Sequence, residues 1–437
     1  MLKRSRLERT LRLPQWPIWR FLPQPIQRRT WAWVAIIVTV LSAQRAVGDA
    51  VRLTMDEAVT RALQAKHSLA SNRKDLEIAR ANLKRSEAWL PGNPFLAGGA
   101  QYTSDGFAPN YSFLLSQEFE IGGQRAIRVE AAERGVERAT WDLKGAEQTL
   151  AATVKTAFVH TLVSASRVSL AHQSLDAVNA LASQPSRRKG SSDQARLASN
   201  AARIQEARAR RELAAAEHAH ADALDALRRL LGLPLDQDID PAGTPETHIK
   251  ELLPVATLIE QALQQRADLT ALRQALQQAD SQLALAKREA IPNITLSGNL
   301  SRFEGATLAG GDIGLPLPIF ETKKGDVQEA TAERTNAGVE ADSLKQEIEK
   351  EVREAHRACE VTGGDLLAQQ QDIVPRSEEN LQLERRLNEE GDATTSEVIE
   401  AQSELLSAQR DYLEAVESYN TALIELERVV GGSVVPR

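Results

Sequence analysis

Gly391 to Val430 reads GDATTSEVIEAQSELLSAQRDYLEAVESYNTALIELERVV, and its spacing decides the fold. Val398, Leu405, Tyr412, Tyr419 and Leu426 recur every seven residues, and Ala401, Ala408, Ala415, Ala422 and Val429 form a second series of the same period. Two such series offset by three give one apolar seam on a continuous helix that packs nearly parallel to its neighbours. The alanines let a neighbouring backbone approach closely. Gly431 and Gly432 are the first interruption and read as the C-cap.

An echo of the seam lies upstream. Ala209, Ala216, Ala223 and Leu230 match the alanine series, Leu213, His220 and Leu227 align with Tyr412, Tyr419 and Leu426, and Leu231-Gly232 ends the run as Val430-Gly431 does. The chain therefore reads as two copies of one plan.

A chain of 437 residues with only 4% aromatic residues suits long helices better than a thick globular core. Residues 1–48 differ from the rest, with nine Lys/Arg, one Glu and an apolar run from Trp31 to Ala43. They read as an export signal, with an N-terminal membrane anchor as the competing reading. Removing that segment takes away a charge of +8 (nine minus one) and moves the formal balance from −7 to −15. An acidic surface of this kind argues against a nucleic-acid partner. Beyond the leader no apolar run approaches the roughly eighteen residues of a membrane helix. Cys359 is the only cysteine, so an intrachain disulfide is excluded.

In order, residues 54–89 carry helical spacing, with Thr54 as N-cap, and Pro91 stops them. Strand character follows at about 95–104 and 110–119. Helix is expected from Gln124 to about Ser183, reaching roughly 90 Å at about 1.5 Å per residue, and a polar turn at 185–193 reverses the chain into a returning helix. Residues 49–232 thus form a first repeat and 233–254 a proline-rich connector. A second repeat follows at 255–432, with strands at about 293–303 and 311–320, and then a tail at 433–437. In the clearest strand Ile294, Leu296, Gly298 and Leu300 alternate with Thr295, Ser297, Asn299 and Ser301. One apolar and one polar face fit a strand between lipid and water, with a soluble sandwich strand as the alternative. Pro316 and Pro318 place the last strand near a rim or bend. Four strands cannot close a barrel, which needs about eight, so a membrane sheet of this kind must be shared between chains.

The duplicated plan, the SQEFEIGGQR stretch (Ser116 to Arg125), the PLPIFETKKG stretch (Pro316 to Gly325) and the Glu390-Gly391 turn with EVIEAQSELLSAQRDYLEAVESY together resemble the TolC-like outer-membrane efflux factors. The likeness spans nearly all of residues 50–432, and QEFEIGGQR is similar to the heavy-metal, CzcC-type branch. It implies a mixed α and β fold with internal duplication. Long antiparallel helical hairpins would form a periplasmic α-barrel, and each protomer of a homotrimer would give four strands to a shared transmembrane β-barrel. It further implies an outer-membrane lipid environment, a periplasmic adaptor and an inner-membrane pump as partners, divalent heavy-metal cations as cargo, and neither cofactor nor enzymatic chemistry. A soluble periplasmic coiled-coil scaffold is the alternative.

The same resemblance places a constriction just after the second hairpin turn, at Glu397 and Glu400. Their spacing of three puts both carboxylates on one helix face. The bland reading is two solvated acids in a first turn, favoured by the helix dipole. The basic turn Arg187-Arg188-Lys189 reads first as a solvated tip; the second reading makes the hairpin tips, Arg187, Arg188, Lys189 and Gly190 in the first copy and Gly391 and Asp392 in the second, adaptor or pump contacts. His218 and His220 do not form a zinc arrangement, and His356 with Cys359 is too small a set for a site.

Overall fold

The computed structural model describes residues 51–65, 69–102, 110–183, 192–303 and 305–436. The predicted export signal and the tip Arg187 to Gly190 lie outside them. The chain divides into Met1–Val51 and Arg52–Arg437, and the architecture that follows belongs to the second unit.

The first half opens with β1 (Val51–Leu53), α1 (Met55–Gln64) and α2 (Ala70–Ser86). Thr54 starts α1 through a reciprocal capping box. Its backbone N–H donates to Glu57 Oε2 at 2.8 Å, while its hydroxyl accepts from the Glu57 N–H at 3.4 Å. The single helix expected over 54–89 is therefore two, broken after Gln64. β2 (Phe95–Gln101) and β3 (Asn110–Phe119) form a hairpin, and α3 (Gln124–Ser183) follows without interruption. α4 (Ser192–Leu231) returns alongside it.

In the connector, β4 (Ile239–Pro241) pairs with β1, and the Ala242 N–H donates to the Leu53 carbonyl at 2.8 Å. The second half repeats the order of elements. α5 (Val255–Gln265) and α6 (Ala267–Glu289) precede β5 (Ile294–Phe303) and β6 (Ala306–Gly314). α7 (Lys324–Ala368), a π turn (Gln369–Ile373) and α8 (Val374–Glu390) form one long arm. α9 (Thr395–Val430) returns along it. Equivalent contacts recur in the two halves. Arg73 Nη2 donates to the Leu63 carbonyl at 2.6 Å, and Arg273 Nη2 to the Leu263 carbonyl at 3.1 Å.

Two further expectations need correction. The last strand is Ala306–Gly314 rather than 311–320, so Pro316 and Pro318 follow the strand instead of weakening its ladder. Apolar alternation carries on through Leu315, Leu317 and Ile319, but prolines cannot donate to a ladder and pairing stops at Gly314. The second is the organising helix itself, which starts at Thr395 and not at Gly391. Gly391, at φ 92°, instead closes α8. The Asp392 N–H reaches the Leu387 carbonyl at 2.8 Å and the Gly391 N–H the Asn388 carbonyl at 3.3 Å, a Schellman ending that needs the left-handed conformation glycine adopts without strain.

The heptad seam of α9 forms the core. Val398, Ala401, Leu405, Ala408, Ala415, Tyr419, Leu426 and Val429 are buried, and Tyr412 and Ala422 are half-buried. Around the upper seam pack Val159 and Val163 of α3, Leu258 of α5, Leu269 of α6 and Ile348 and Leu366 of α7. Tyr419 and Asn420 also fasten the connector. The Tyr419 hydroxyl accepts from the Lys250 N–H at 2.8 Å. The Asn420 amide pairs with both backbone groups of Glu246, at 3.0 and 2.8 Å, as an opposing peptide would.

Candidate functional site

The four-stranded sheet runs β2-β3-β5-β6, all antiparallel, with β2 and β6 as its edges. Its register sorts side chains by face, because successive residues of a strand point to opposite sides. Gly98, Phe113, Leu300 and Ala309 lie in one cross-strand row, and Leu96, Leu115, Gly298 and Gly311 in the next. Leu96, Phe113, Leu115, Leu296, Leu300 and Ile313 are all exposed on this face. The opposite face carries the row Phe95, Ser116, Ser297 and Asp312, and Asn299, whose amide donates to Asp312 at 3.3 Å; it is polar along β5, with Leu114 and Leu308 on its neighbours. An apolar face of this extent, open at both edges, calls for an apolar partner on one side and water on the other. Among the described residues no helix is long and apolar enough to cross a membrane.

The sheet is bolted to the helices by the SQEFEIGGQR stretch, a role that the sequence reading missed. Gln124 is only 2% exposed, and its amide N–H group faces the carbonyls of Arg288 at 3.4 Å and Ile291 at 3.3 Å and the Asn293 side-chain oxygen at 3.2 Å. Arg125, one residue on, donates to the carbonyls of Ala88 at 3.2 Å and Glu87 at 2.8 Å. The last carbonyls of a helix lack partners within it, and two consecutive side chains supply them for α6 and α2. Arg128 pairs with Glu120, and the Asn293 amide donates to Glu118 at 2.8 Å, tying α3 and β5 to the end of β3. Lys323 adopts the left-handed conformation (φ 57°) at the place where the first copy has Gly123 (φ 75°).

At the far end of α8 and α9 the hairpin is held by its own contacts. Leu381, Val398, Ala401 and Leu405 form a small core, Arg385 donates to the Gln402 side-chain carbonyl at 2.7 Å, and the Asn388 amide donates to the Ala393 carbonyl at 2.9 Å. Glu397 and Glu400 are both exposed in the first turns of α9. Glu397 completes a second capping box, its carboxylate accepting from the Thr394 N–H and its own N–H donating to the Thr394 hydroxyl at 3.3 Å. The T-x-x-E spacing was legible in the sequence. Gly391 and Asp392 sit exposed at the tip.

Farther up, α9 is joined to the first half by ion pairs. Glu427 meets Lys155 at 2.8 Å, Glu417 meets both His160 and Arg167, and Arg410 meets Glu212. The remaining candidates for chemistry are structural. The His220 ring sits 2.9 Å from the Ser164 hydroxyl, with burial lowering its basicity, and His356 faces Glu360 at 3.4 Å. Cys359 is buried. Among the described residues no three His, Cys, Asp or Glu side chains converge as metal ligands.

The fold thus joins one exposed sheet, apolar over much of one face, to long helical hairpins. The outer membrane efflux protein family model matches twice, over residues 59–233 and 258–432, and the chain belongs to that family. It is similar to the cobalt-zinc-cadmium resistance protein CzcC of Cupriavidus metallidurans, at 24% identity across 87% of this chain and 90% of that one. In fold it is similar to CusC (TM-score 0.72, 18% identity, 87% and 92% covered) and to the open state of the MtrE outer membrane channel of Neisseria gonorrhoeae (TM-score 0.71, 22% identity, 87% and 89% covered). The family assignment and its TolC-like, CzcC-type character agree with the resemblance drawn from the sequence.

Proposed function

We propose that the protein is the outer-membrane exit duct of a tripartite efflux system. Three copies would pool their four-stranded sheets into one barrel of about twelve strands, and the helices would continue as a periplasmic tube. The observation that carries this reading is the sheet, with one face apolar and exposed and both edges unpaired. Edge strands left open invite pairing with another chain, and a head-to-tail ring of three closes them. Internal duplication is supported by the two successive family matches and by the paired Arg73–Leu63 and Arg273–Leu263 contacts.

Cargo passes without chemical change. Divalent cations such as cobalt, zinc and cadmium are the proposed substrates, from the likeness to CzcC, and an adaptor and an inner-membrane pump would engage the hairpin ends at Gly391 and Asp392. The periplasmic gate is Glu397 and Glu400. Repeated three times about an axis, their carboxylates would ring the lumen and lower its barrier to cations relative to anions. The capping box divides their work, since Glu397 also starts α9 while Glu400 has only the ring to serve.

Deleting the gene and measuring tolerance to these metals and to organic drugs tests the function. Heightened metal sensitivity is expected, and unchanged tolerance to both would reject the efflux role. Recovery of the protein only from the soluble periplasm would reject the channel. For the gate, Glu400→Gln should reduce cation preference in planar bilayers. Glu397→Gln keeps the capping geometry and isolates the charge. Unchanged selectivity in the double variant would remove these residues from the constriction.

A further inference from the structure

Four helix ends and the loops feeding the sheet meet at one level of the molecule. Hydrogen bonds fix that level, because Gln124 and Arg125 at the start of α3 hold the last carbonyls of α6 and α2. The start of α7 comes to the same level because α7 packs antiparallel on α6, where Arg334 pairs with Asp280 at 2.9 Å. On the sheet side the loops expose large apolar side chains outside any strand: Trp89 at 78%, Ile121, Leu317, Ile319 and Phe320 at 99%. On the helix side five cations are exposed: Lys84 and Arg85 in the last turn of α2, Lys287 and Arg288 in the last turn of α6, and Lys324 opening α7.

Carboxylates at this level are mostly engaged. Glu120 holds Arg128, Glu118 holds Asn293, and Asp326 and Glu321 hold Lys323. The five cations make no ion pair among the described residues, although Glu87, Glu118, Glu289, Glu321 and Asp326 are exposed at the same helix and loop ends. Helix dipoles account for the four at C-terminal ends. They do not account for Lys324, which sits at a helix N-terminus, where a cation is disfavoured.

We infer that this level is a collar seating the protein in the headgroup layer of one membrane leaflet, with the apolar loops at the acyl boundary and the cations on the phosphates of anionic lipids. The inference rests on the sheet being membrane-embedded. Apolar rings above and cationic side chains below match the order of a leaflet from acyl chains to headgroups. Phosphate is the anion available at that depth, and juxtamembrane Lys and Arg are attracted to it.

Trp89 reports on its own surroundings. It and Trp141 are the only tryptophans after residue 48, so membrane-purified protein shown by mass to lack residues 1–48 and carrying Trp141→Phe, with a Trp89→Phe control, isolates its emission. The protein is reconstituted in phosphatidylcholine vesicles containing either brominated phosphatidylglycerol or brominated phosphatidylcholine at equal fraction. Quenching should show a preference of about fivefold for the anionic lipid, falling toward parity in Lys84→Gln with Arg85→Gln and Lys324→Gln. Equal quenching by both lipids, or a preference that survives the triple substitution, overturns the collar. So does an unquenched Trp89 in protein whose sheet is protease-protected in the vesicle. Failure to enter the vesicle at all instead strikes the channel reading.

Discussion

Arg266 sits at the corner between α5 and α6 with its side chain only 9% exposed, donating through Nε and Nη2 to Asp268 at 3.1 and 2.6 Å and through Nη1 to Glu351 of α7. Burial alone would raise the Asp268 carboxyl, but the guanidinium outweighs it and holds the group below the ordinary carboxylate value. A depressed acid stabilises the fold above its unfolded pKa of about 3.9 and loses that contribution as pH falls through the lower folded value. Asp268→Asn should therefore cost about 1–2 kcal/mol at neutral pH, discounted for a half-exposed carboxylate. Urea midpoints of the two proteins should converge below about pH 4, and equal midpoints at pH 7 would discard the pair as a stabiliser. Cys359 differs, since burial, aided by Glu360, pushes its thiol up to about 11. It should resist maleimide at neutral pH until the protein unfolds, and rapid labelling of the native state would contradict its burial. The sequence showed Cys359 and His356 as neighbours on a helix; His356 pairs locally with Glu360, whereas the burial of Cys359 comes from tertiary packing. Gln124 was equally hard to read, because the carbonyls it serves lie in another repeat.

Spacing within α9 foretold its buried face, since a sustained period of seven requires a helix packed along its whole length. The seam period alone did not show where the helix starts; the T-x-x-E spacing at Thr394 did, and Gly391 instead ends α8 in a Schellman turn. β6 was misplaced for a related reason. Its residues Ala306 to Gly311 are mostly small and give no alternation, whereas the prolines beyond it do. The π turn at Gln369–Ile373 also went unseen, although Pro375 explains it. A proline inside a helix lacks the N–H and crowds the carbonyl one turn earlier, and a widened turn relieves that crowding. Pro375→Ala should restore the donor and close the turn to α-helix. Hydrogen exchange at 369–373 should slow; unchanged exchange would mean that packing, and not the proline, sets the turn.

For the whole molecule, the alternation at Ile294 to Ser301 defined the apolar side of the central strands, and the register carries it onto Phe113 and Leu115 of β3, Leu96 of β2 and Ile313 of β6. That orientation predicts an asymmetry. Leu300→Lys on the apolar face should cost about 2–4 kcal/mol at the bilayer midplane, whereas Asn299→Lys on the facing side should be close to neutral. Folded yield in the membrane fraction distinguishes them, and equal losses would refute a lipid-facing side. The sheet also sets an order of events in time. Each hairpin, β2-β3 and β5-β6, closes locally, but the central seam places Phe113 opposite Leu300, so it joins the two halves of the chain. Contacts of such long sequence separation form slowly. The apolar face is thus completed only after synthesis has passed both hairpins, and until then each half presents a lone two-stranded hairpin.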